Sequence, residues 1–142
     1  MSQILISLYL VYPGYGYMLS GSPMVTDYGY LLHLVQSDSA SAGNMFGEES
    51  PDLWVEVVFQ TATRLRVRVS DSSSRFEVPL DIPTEGVSEQ EALYRVEFTA
   101  SPTWGLVVSR RDTGELVLDT GLPGLVFSQQ FMQLPIRLPQ GR

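Results

Sequence analysis

The chain has 142 residues and a formal net charge of −7, and all nine of its basic residues are arginine. An acidic chain without a basic patch argues against nucleic acid and anionic lipid as partners. With 44% hydrophobic residues the chain can build a core of its own, and with no Cys it has neither a disulfide framework nor a thiolate metal site.

The chain opens on an apolar run, Met1 to Val11. No basic residue precedes it, and Tyr12-Pro13-Gly14 is a poor cleavage site, so it makes no convincing signal peptide. It is also too short to span a bilayer. A β-strand or a non-native start is the expected reading. Asn44 is the only Asn and is followed by Met45-Phe46, which leaves no N-glycosylation acceptor.

Period-two alternation dominates from Tyr28 onward. Tyr30, Leu32 and Leu34 share one face and His33 points the other way. Residues 36–50 are rich in Ser, Ala and Glu and read as a loop. In 53–60, Leu53, Val55, Val57 and Phe59 face inward, while Glu56 and Gln60 face outward. In 64–69, Leu65, Val67 and Val69 face inward and Arg64, Arg66 and Arg68 outward. A one-residue slip there would bury three guanidinium groups, so the register is strongly fixed.

Asp71-Ser-Ser-Ser74 is a polar turn, and Phe76, Val78 and Leu80 continue the alternation. Residues 64–80 therefore read as a hairpin, with Pro79 and Pro83 ending the second strand or placing it at an edge. Thr84 to Glu91 is an acidic loop. Tyr94, Val96 and Phe98 mark the next strand, and Ser101-Pro102 breaks it. Trp104, Leu106 and Val108 form another inward row. Residues 110–114 turn the chain, with Gly114 at a positive-φ position, so that Leu116 and Leu118 pair back. After the turn 121–124, short strands are expected at 125–127 and 131–134. No stretch holds a helical period. Short strands between frequent turns predict an all-β antiparallel sandwich or barrel.

No constellation in the chain reads as catalytic. A lone His33 without Cys makes no zinc site, and no metal or cofactor is expected. Ser72, Ser73 and Ser74 have no base in reach and read as turn chemistry. Asp112-Thr113-Gly114 matches the aspartic-protease triplet, and Asp119-Thr120-Gly121 follows seven residues on. Adjacent ends of one hairpin cannot build a symmetric dyad, so both read as turns. Glu48, Glu49, Asp52, Glu85, Glu89 and Glu91 fall in polar loops, where nothing separates an acid from a base. Trp54, outside the inward row of its strand, is the one candidate for stacking on a sugar, and Tyr12, Tyr15, Tyr17, Tyr28 and Tyr30 could extend the platform. Trp104 reads as core.

Val67-Arg-Val-Ser-Asp71, then Arg75-Phe-Glu-Val-Pro-Leu80, resembles the "D…RYEVP" segment of the α-glucosidases of glycoside hydrolase family 31, in the maltase-glucoamylase, sucrase-isomaltase and lysosomal α-glucosidase group. Tyr94 to Phe98, Gly105 to Arg111 and Thr113 to Thr120 follow the family's order and spacing. Pro123-Gly-Leu-Val-Phe-Ser-Gln-Gln-Phe-Met-Gln-Leu134 is similar to its "PLLFADQFLQLS", and Leu138-Pro139 to the Leu-Pro after it. Tyr15-Gly-Tyr17 resembles the link that follows the family's trefoil module.

The resemblance implies a galactose-mutarotase-like sandwich over 15–142, incomplete in itself, with 1–14 unassigned. It also implies a parent in the secretory pathway, lysosomal, lumenal or at the cell surface. The family's retaining chemistry on α-glucosides lies in a (β/α)8 barrel of about 250 residues. Its Trp-Ile-Asp-Met-Asn-Glu-like nucleophile segment does not occur among these residues. The chain is therefore expected to be a fragment or short form without catalytic residues, a module supporting the barrel that is its expected partner. The alternative is a free-standing carbohydrate-binding or protein-interaction β-domain, with α-glucosides as ligand.

Overall fold

The computed structural model describes residues 16–37, 49–82, 85–100, 102–129 and 131–140. The apolar start, Tyr12, Tyr15, most of the 36–50 loop with Glu48, and Pro83, Thr84 and Ser101 lie outside the described residues. The rest is all-β and antiparallel, without a helix.

The larger sheet contains β1 (Tyr17–Leu19), β2 (Met24–Thr26), β3 (Gly29–Gln36), β4 (Asp52–Thr61) and β5 (Arg64–Ser70). Its order is β1-β3-β4-β5. β1 pairs with residues 34–36 of β3 and β2 with residues 29–31, so both short strands lie along one edge of β3. The second sheet is β6 (Tyr94–Thr99), β7 (Gly105–Arg110) and β8 (Leu116–Asp119), in that order. β9 (Val126–Phe127) and β10 (Met132–Gln133) form a two-stranded ladder. The β7–β8 turn takes the expected form: Gly114 has a φ of 73° and its N–H donates to the Arg110 carbonyl at 2.9 Å.

The inner rows meet in one core. Leu32 and Leu34 of β3 and Leu53, Val55, Val57 and Phe59 of β4 pack with Val96 of β6 and with Trp104, Leu106 and Val108 around β7. Leu125 and Phe127 complete it. These are the rows that alternation assigns to the interior. The backbones are tightly placed: a Cβ on Gly29 would sit 1.9 Å from the Val57 carbonyl oxygen, so only glycine lets β3 cross there.

Three expectations are corrected. Gln60 is buried rather than outward, because the β4–β5 register shifts between Phe59 and Thr61 and leaves it in a bulge. Inside, its Oε1 accepts from Arg64 Nε at 2.9 Å and its carbonyl accepts from the Gly86 N–H. Val67 lies on the inner face but is 36% exposed, and Leu65 and Val69 are only half-buried. β5 and β8 are the outer strands of their sheets. An open cleft of about 270 Å3 there is lined by Leu65, Val67, Tyr94, Val108, Val117 and Leu118.

The third correction concerns the hairpin. Residues 71–82 form no strand, and Phe76, Val78 and Leu80 are 87%, 65% and 67% exposed. Asp71 and Arg75 draw this segment toward β9. Arg75 NH1 donates to the Gln129 carbonyl, and its guanidinium lies 5.1 Å from the Phe127 ring centroid. Pro79 has no N–H for a ladder. Glu77 reaches back, to Arg66 and Arg68 on the outer face of β5.

Candidate functional site

The outer face of the larger sheet carries an aromatic group with polar companions, partly open to solvent. β3 and β4 pair in a register that sets His33 opposite Trp54. Opposed side chains on one face of a sheet are in contact range. Here imidazole and indole stack, with centroids 4.5 Å apart and planes 24° apart. His33 Nε2 lies 2.8 Å from Asp52 Oδ1, two residues before Trp54 on the same face. Trp54 is 37% exposed, and the Asp52 side chain is more than half exposed. On its other side Trp54 faces Ser70 of β5, a small neighbour.

The tyrosines do not extend this platform. Tyr17 is in the core, where its hydroxyl donates to the Ser50 carbonyl at 2.6 Å. Burial, then the charges of Glu49 and Asp71, push its pKa well above the ordinary value. Tyr30 is on the inner face, edge-to-face with Phe98 at 5.0 Å, and its hydroxyl donates to Glu89. That bond, and burial after it, raise its pKa to about 12. Tyr28 is exposed in the β2–β3 turn beside Gly86. Trp104 is core, as alternation predicts.

Asp71, Asp112, Asp119 and Glu91 have structural employment. Asp71 accepts from Ser50 Oγ at 3.0 Å, from the Ser73 N–H at 3.0 Å and from Arg75 NH2 at 2.8 Å. Its side chain is almost fully buried, and the Arg75 hydrogen bond, foremost among these contacts, holds its carboxyl at about 2. The turn at Ser72–Ser74 is thus organised by the Asp71 carboxylate rather than by the serine hydroxyls. Asp112 caps its own turn by accepting from the Thr113 N–H, while Asp119 accepts from the Gly121 N–H and from Arg137. The two aspartates serve separate turns. Glu91 accepts from the Ser88 hydroxyl and then from its N–H, which lower its pKa. Among the described residues no cluster of His, Asp and Glu could hold a metal ion.

Asp52 and His33 are the members of the Trp54 group that the sequence did not disclose. Their proximity depends on the β3–β4 register. No local pattern encodes it.

No family model matches the chain. Over 115 residues, 80% of the chain, it is 34% identical to the lysosomal alpha-glucosidase of Mus musculus. It is 40% identical over 96 residues, 65% of the chain, to the intestinal sucrase-isomaltase of Oryctolagus cuniculus. It is 32% identical over 108 residues, 73% of the chain, to the probable maltase-glucoamylase 2 of Homo sapiens. The chain spans only 12%, 5% and 4% of those proteins' own lengths.

Proposed function

As a homologue of one short segment of the glycoside hydrolase family 31 α-glucosidases, this chain is, we propose, the non-catalytic sandwich module of a maltase-type α-glucosidase. Its role is to support the catalytic barrel of its parent by packing against it. The parent works on α-glucosides in the secretory pathway, a setting in keeping with relatives named as lysosomal and intestinal.

One observation carries this reading beyond kinship. Phe76, Val78, Leu80 and Ile82 are large apolar side chains exposed along one segment, which Glu77 ties to Arg66 and Arg68 of β5. Contiguous exposed apolar surface on a folded domain marks a place where another surface packs. Of the acidic groups, Asp71, Glu91, Asp112 and Asp119 are held in turn and core contacts.

The purified chain, incubated with maltose, is expected to release no glucose above a buffer blank. Turnover that follows the protein through size-exclusion chromatography would overturn the reading.

A further inference from the structure

We propose that the outer face of β3 and β4 around Trp54 is a saccharide-binding plate. Three features of the face argue for a sugar.

The first is the indole itself. A pyranose ring presents C–H groups on its face and hydroxyls at its rim, so it takes an aromatic plane with hydrogen-bonding groups around it. Trp54 supplies the plane. His33 covers one face of the indole at 4.5 Å, which leaves the other toward Ser70. The cross-strand neighbour on that side is the small Ser70.

The second is preorganisation. Asp52 holds His33 at 2.8 Å, and His33 in turn stacks on Trp54. The indole is thereby fixed before any ligand arrives, which lowers the entropy lost on binding. Asp52 and His33 act here as positioning residues. Among the described residues His33 is the only side-chain partner of Asp52, so the other carboxylate oxygen is left to accept from a sugar hydroxyl.

The third is the rim. Along β4 the outer face reads Asp52, Trp54, Glu56, and Arg68 of β5, ion-paired with Glu77, stands opposite Glu56. The centre of a protein–protein interface is depleted of charged residues. The exposed row at Phe76–Ile82 has that apolar character and this face does not. Carboxylates and a guanidinium around one aromatic ring suit a neutral ligand rich in hydroxyls.

Maltose is the probe, a choice that rests on the proposed kinship; the plate itself rests on the geometry alone. The chain has two tryptophans, and Trp104 is buried, so their indole N–H resonances report separate places. Titration with maltose is expected to shift the Trp54 resonance saturably, with a dissociation constant of about 1 mM, and to leave Trp104 unmoved. Trp54→Ala should abolish maltose binding measured by calorimetry. Asp52→Asn, which keeps the shape, should weaken it by about tenfold. An unmoved Trp54 resonance at about 20 mM maltose would overturn the plate. So would equal shifts of both tryptophans, or unchanged calorimetric binding in Trp54→Ala with the Trp104 resonance still native. None of these outcomes bears on maltose turnover, so the plate and the non-catalytic role fail separately.

Discussion

Strand β4 and the segment 75–82 carry the same sequence pattern and meet opposite fates. In β4, Leu53, Val55, Val57 and Phe59 alternate with polar or half-exposed neighbours and are completely buried. In 75–82, Phe76, Val78, Leu80 and Ile82 alternate as regularly and stand in solvent. β4 has β3 and β5 on its two edges and the β7 row over its face. Among the described residues, the other segment has no strand paired on either edge, and its apolar row is exposed. Alternation states that one face of a segment is apolar. It does not state what covers that face.

The sharpest way to break this comparison is to truncate one large side chain in each region. Phe59→Ala removes a fully buried ring between two layers, and the cavity it leaves should destabilise the fold by about 3–5 kcal/mol in urea denaturation. A loss below about 1 kcal/mol would show that the β4 face is loosely covered in solution. Gly29→Ala tests the edge rather than the face of β4. Its Cβ would meet backbone at 1.9 Å, so β3 must move off β4, at a cost of about 2–3 kcal/mol by the same measurement. A neutral result would place β3 and β4 farther apart than the register implies.

The two regions also divide what could be read from sequence. The rows of β3, β4 and β7 are legible because local alternation fixes which face of each strand is apolar. Trp104 was placed inside and Trp54 outside on that basis alone. The 64–80 hairpin was misjudged because its outcome hangs on Arg75, which binds the backbone at Gln129, 54 residues away. Gln60 was misplaced by a single bulge residue. Of the candidate site, Trp54 was legible; His33 and Asp52 were not, since only the folded register brings them to it.

Asp71 is the hinge between the two regions, and its charge should make the arrangement depend on acidity. The Arg75 hydrogen bond depresses its folded-state pKa to about 2, below the ordinary carboxyl value near 3.9. A depressed carboxyl stabilises the fold above the unfolded value and loses that contribution as pH falls through the folded one. The Asp71 contribution, on the order of 1–2 kcal/mol, should therefore be present at pH 5 and fade between about pH 4 and pH 2. Asp71→Asn should lower stability by that amount at pH 7 and flatten this part of the profile. An unchanged profile would mean that the Ser50 and Ser73 contacts, not the charge, hold the turn.

The smallest expected effect is the most telling for function. Phe76→Ser changes a side chain that is 87% exposed, so the stability of the chain alone should move by less than about 0.5 kcal/mol. That near-neutrality would separate Phe76 from Phe59 as cleanly as two phenylalanines on period-two segments can be separated. A loss above about 2 kcal/mol would mean that the ring is covered in solution, by a second copy or by the segment closing onto β5. Sedimentation at two protein concentrations tells these apart, since self-association depends on concentration and closure does not. If the ring is free in the isolated chain, the same substitution in a longer polypeptide carrying this segment should become costly, because the apolar face would then have lost contact with the surface proposed to cover it.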